Sequence, residues 1–145
     1  MTYTNGPAIL YPMFALAALT ALVQVLIPVM RVSAGARGEL RTDDFRYGES
    51  AGVPDRVRIP NRNYMNLLEF PVLCYVACLL AYVATAVTPL MIGLAWVFVS
   101  LRVLHSAIHL TYNRVPHRAF VFGFSNFVLV VLWVHIALRI AAASS

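Results

Sequence analysis

The chain has 145 residues, of which 61% are hydrophobic and 12% charged, and its mean hydropathy is +0.76. Globular chains typically hold roughly 45–50% apolar and 25% charged residues. The composition therefore excludes a disordered chain, a soluble enzyme with a solvated surface and a disulfide-stapled secreted module. All 11 basic residues are arginine against 6 acids, a formal charge of +5. In so apolar a chain this bias points to membrane topology and anionic small ligands, with no nucleic acid as partner.

Four apolar segments follow one another at about residues 8–30, 64–86, 89–110 and 119–141. Each is close to the ~20 residues that carry a helix across ~30 Å of hydrocarbon. Lipid leaves no backbone group unsatisfied, so each segment is predicted to be helical. Residues 1–10 carry no charged side chain, which argues for a retained first span over a signal peptide. The expected fold is all-α: one domain over residues 1–145, an integral membrane antiparallel four-helix bundle in contact with the lipid bilayer.

The connections set the topology. Residues 31–62 read as a long polar loop with seven arginines and five acids, broken by Pro54 and Pro60. Residues 85–89 form a tight uncharged turn, and residues 111–118 a short basic one with Arg114, His117 and Arg118. The first and third connections lie on one side, and the positive-inside rule makes that side the cytoplasm. Both termini then face outward, with Arg139 snorkelling to the headgroups. The absence of lysine and the abundance of alanine suggest a GC-rich bacterial genome and thus the inner membrane. Cys74 and Cys78, in an apolar run, read as small hydrophobes.

Charges inside a span are costly and suggest a role. Arg62, Asn66 and Glu69 are spaced by four and three, so they share one helical face at the start of the second span. Arg102, His105 and His109 do the same at the end of the third, and Arg118 opens the fourth, which carries Ser125 and Asn126 deeper. All gather in one half of the bilayer. A Glu69–Arg102 ion pair at matched depth is expected, within a cationic pocket between helices that suits a carboxylate-bearing ligand.

The pattern Arg62-x-x-x-Asn66-x-x-Glu69 followed by Phe70-Pro71 resembles the second-helix signature of the MAPEG superfamily, membrane-associated proteins in eicosanoid and glutathione metabolism. The run from Arg102 through His105 to His109, then Arg114-Val-Pro116-His-Arg118, resembles the third helix and following turn of the microsomal prostaglandin E synthase and glutathione transferase branch. The resemblance implies a homotrimer that binds glutathione at its cytoplasmic end. It implies a transferase or peroxidase acting on lipophilic electrophiles or lipid hydroperoxides. By the same resemblance Arg118 would stabilise the thiolate, while Arg62, Asn66, Glu69, Arg102, His105, His109, Arg114 and Arg31 would hold the tripeptide. The sequence departs from the family pattern at His109, where active relatives carry tyrosine, and at Ala119, where the prostaglandin branch carries serine.

Other readings of the same residues stay open. Glu69 and Arg102 also suit a structural pair, and Arg31, Arg62 and Arg118 suit topology anchors. A metal held by His105, His109 and Glu69 is disfavoured by Arg102 beside it. A haem on His109 and His135 is disfavoured by their unequal depth. A non-catalytic lipid-binding or accessory subunit of the same fold is the alternative function, favoured by the two substitutions.

Overall fold

The structure, a computed structural model, describes residues 6–144. A 3-10 turn at Gly6–Leu10 leads into α1 (Tyr11–Ala36); α2 (Asp55–Leu68), α3 (Val72–Val83), α4 (Pro89–Leu110) and α5 (Val115–Ser144) follow. Among the described residues there is no β-strand. Four stretches are long and apolar enough to span a membrane: Gly6–Ala36, Asp55–Val83, Pro89–Leu110 and Val115–Ala143. The second span thus consists of two helices.

The long first loop is shorter than the polar run suggests, because helices occupy both its ends. α1 continues past Arg31 and stops where Gly38, at φ 72°, takes the left-handed conformation. There the Gly38 N–H bonds Gly35 C=O and the Glu39 N–H bonds Ala34 C=O, which satisfies the last carbonyls. α2 begins at Asp55, an acid suited to a helix N-terminus. The polar ends are stabilised by a small second core of Ala34, Val53 and Val57, flanked by Leu40 and Phe45. Hydropathy does not reveal such a core, since its apolar residues lie singly among charges.

Pro71 divides the second span. It has no N–H to give to Leu67 C=O, and its ring disfavours a helical residue before it. The backbone departs from helical geometry at Glu69 (φ −87°, ψ −107°) and restarts at Val72. Thr88 opens α4, its Oγ1 accepting from the Met91 N–H at 3.3 Å, with Pro89 at the first helical position.

The main core joins Leu16 of α1, Cys74, Ala77, Cys78 and Ala81 of α3, Met91, Ala95 and Phe98 of α4, and Leu129, Leu132 and Ile136 of α5. Both cysteines are free and buried within it. Within the most apolar stretch of each span, 44% of α4 is buried but only 17% of α1. α4 is therefore the central helix, packed most extensively on α5, and α1 turns most of its surface outward. Neighbouring helices run antiparallel. Thr88 Oγ1 lies 3.2 Å from His135 Nε2 at one end, and Ser106 Oγ donates to Asn63 Oδ1 at 3.2 Å toward the other.

Candidate functional site

At the end of the bundle that carries the 37–54 connection and the α4–α5 turn lies a cavity of about 420 Å³. Its walls are Ile59, Arg62, Met65, Asn66 and Glu69 from α2 and its break, His109 from α4, Asn113 from the turn, and Val115 and Arg118 from α5. The i, i+4 spacing of Arg62 and Asn66 on α2 puts both on this wall. Glu69 reaches it because the helix ends beneath it at the Pro71 break.

Arg62 and Glu69 are exposed, Asn66 and Arg118 half-buried, and His109 buried. Asn66 Nδ2 donates to Arg62 C=O at 3.0 Å. Arg118 Nη1 donates to Asn113 Oδ1 at 2.7 Å. Among the described residues His109 Nδ1 is buried without a hydrogen-bond partner, a state that costs free energy. The walls present two guanidinium groups, one carboxylate, two amides and one imidazole, so the cavity favours an anion that also carries a positive group.

Four of the expected site residues are not on these walls. Arg102 is 0% exposed, within the core. Its Nη2 donates to Asn126 Oδ1 at 2.5 Å, and its guanidinium carbon lies 5.1 Å from the Phe98 ring and 4.8 Å from the Phe122 ring. The expected Glu69–Arg102 pair does not form. The helix break turns Glu69 to the cavity and solvent, whereas Arg102 points into the α4–α5 seam, where Asn126 and two aromatic faces receive it. His105, also buried, meets His109 edge-on at 5.7 Å and the Phe122 ring at 5.7 Å, behind the cavity wall. Arg31 pairs with Glu49 at 3.2 Å and lies 4.4 Å over the Phe45 ring, fastening the first connection to α1. Arg114 is exposed in the turn. Of the remaining loop arginines, Arg37 and Arg56 both pair with Glu39, and Arg58 pairs with Asp55.

Asn113 was not among the expected residues. Its φ of 47° is the left-handed conformation that asparagine tolerates better than most side chains. Its N–H closes onto Ile108 C=O at 2.8 Å to end α4. An asparagine between a helical run and an X-Pro dipeptide is a legible helix stop. That its side chain would face the cavity is not legible, because this depends on the angle at which α5 leaves the turn.

The family model for the MAPEG family matches residues 9–138, which covers most of each of the four spans and every residue on the walls of the cavity. No curated protein and no solved structure matches the chain.

Proposed function

The chain belongs to the MAPEG family, and on that premise we propose that it is a membrane-bound, glutathione-dependent transferase or peroxidase acting on lipophilic electrophiles or lipid hydroperoxides. The observation that carries this reading is the charge set of the cavity. Glutathione has two carboxylates, one ammonium group and one thiol. The walls offer Arg62 and Arg118 for anionic groups, Glu69 for the ammonium, and Asn66 and His109 as neutral polar contacts. A volume of about 420 Å³ falls in the range of small-ligand sites, roughly 300–1,000 Å³. These residues fit the tripeptide.

When bound, glutathione supplies a thiol of pKa about 8.5 whose anion is the nucleophile. Arg118 stabilises that charge by proximity, and a guanidinium does so without giving up a proton. Arg62 suits a carboxylate because its planar fork meets two oxygens at once. His105 and Arg102 form a buried polar layer that backs His109 and fixes the wall. The lipophilic partner arrives from the bilayer. In this reading the protein works as a homotrimer in a bacterial inner membrane, with the cavity facing the cytoplasm.

A non-catalytic accessory role is the second reading. It is favoured by the withdrawal of Arg102 and His105 from the cavity. Turnover of purified protein in detergent against a panel of electrophiles and hydroperoxides separates the two. The enzyme reading predicts glutathione-dependent turnover that Arg118→Ala abolishes while binding weakens far less. Glutathione binding without turnover on any substrate supports the accessory role.

A further inference from the structure

Arg118 owes its place to a neutral acceptor. Among the described residues its side chain has one hydrogen bond, to Asn113 Oδ1 at 2.7 Å, and no ion pair. Glu69 lines the same cavity yet is not paired with it. Arginine is long and rich in rotamers, so an unanchored guanidinium at the start of α5 would sample many positions, several of them outside the cavity.

Asn113 is itself held rigidly. Its backbone occupies the left-handed region at φ 47°, and its N–H is bonded to Ile108 C=O. A parallel contact braces the exposed side of the turn, where Tyr112 OH lies 3.3 Å from His117 Nδ1. Both contacts join residues five apart, but only the Asn113–Arg118 pair lies on the cavity wall. The chemistry of the acceptor matters as much as its position. A carboxylate there would hold the guanidinium equally well and offset its charge. An amide oxygen holds it and leaves the full positive charge for a ligand.

We propose that Asn113 is a positioning residue, which fixes the Arg118 guanidinium on the cavity wall with its charge intact and so favours ionisation of a thiol bound there. The step concerned is loss of the S–H proton to water, with the electron pair staying on sulfur. This role rests on the glutathione-dependent reading above.

The test uses the full-length protein in detergent. It combines calorimetric titration with glutathione, the ultraviolet absorbance of bound thiolate as a function of pH, and thermal melting. Asn113→Gly removes the acceptor but keeps the left-handed turn, whereas Asn113→Asp keeps both the turn and an acceptor while adding a negative charge. Both variants are expected to melt close to wild type. Asn113→Gly is expected to bind glutathione within about threefold of wild type, with the bound thiol titrating about one pH unit higher and turnover about tenfold lower at neutral pH. Asn113→Asp is expected to raise the titration further, although it preserves the anchor. A residue that merely ends α4 predicts instead that Asn113→Gly titrates as wild type does, whatever the charge added in Asn113→Asp does, and that result overturns the proposal while leaving the proposed function standing. If wild-type protein binds no glutathione, both fall together.

Discussion

Arg102 donates through Nη2 to Asn126 Oδ1, while Glu69, the carboxylate at matching depth in the sequence, faces the cavity at the break between α2 and α3. A guanidinium in the hydrophobic part of a bundle has lost its water, and among the described residues this one gains no counter-charge. It is met by one amide oxygen and two aromatic faces, whose negative π surfaces attract a cation. Among the described residues, Nε and Nη1 are buried without hydrogen-bond partners. The arrangement ties α4 to α5 at the cost of an unneutralised charge, so it is sensitive to whatever stands at position 126.

Asn126→Ala removes the acceptor and strands the cation. The expected loss is about 2 kcal/mol, the scale of a hydrogen bond to a charged group, seen as an earlier thermal melt in detergent. Asn126→Asp supplies the missing negative charge and is expected to melt later than wild type. Equal melting of the two variants would show that this contact does not hold the seam.

Glu69→Gln separates a structural from a ligand-facing carboxylate. Because Glu69 is exposed and makes no ion pair among the described residues, the variant is expected to melt within about 0.5 kcal/mol of wild type. Glutathione affinity is expected to fall about tenfold, as the one acid on the cavity wall among the described residues is lost. A large drop in stability with unchanged affinity would restore the structural role.

Thr85 ends α3 at φ 51°, a conformation that a β-branched residue enters only under strain. The Ala86 N–H to Ala81 C=O bond closes the helix around it. Thr85→Gly relieves the strain and is expected to stabilise the protein by about 1 kcal/mol, read as a later melt with unchanged glutathione binding. The site lies at the opposite end of the bundle from the cavity.

The four spans were legible because lipid imposes length and hydropathy on any helix that crosses it. The shared face of Arg62 and Asn66 was legible from helical spacing alone. Arg118 and His109 joined it because the second and fourth spans begin, and the third ends, at the same face. Depth along a helix predicts height in the bundle but not azimuth, and this is why Glu69 and Arg102 were expected to meet and do not. The azimuth of Glu69 is set by a proline two residues later that ends its helix. The ends of α1 and α2 were hidden within the polar loop because their small core of Ala34, Val53 and Val57 lies outside the apolar spans. Asn113 was hidden because a turn residue's side-chain direction follows from a backbone angle that no residue pattern encodes.

Calorimetric titration of purified protein with glutathione, beside Arg62→Ala and Arg118→Ala, tests the central claim most directly. The account predicts one saturable site in wild type, affinity lost in Arg62→Ala, and affinity largely kept but thiolate absorbance lost in Arg118→Ala. Wild-type protein that shows no heat of binding, or binding indifferent to both substitutions, would contradict it.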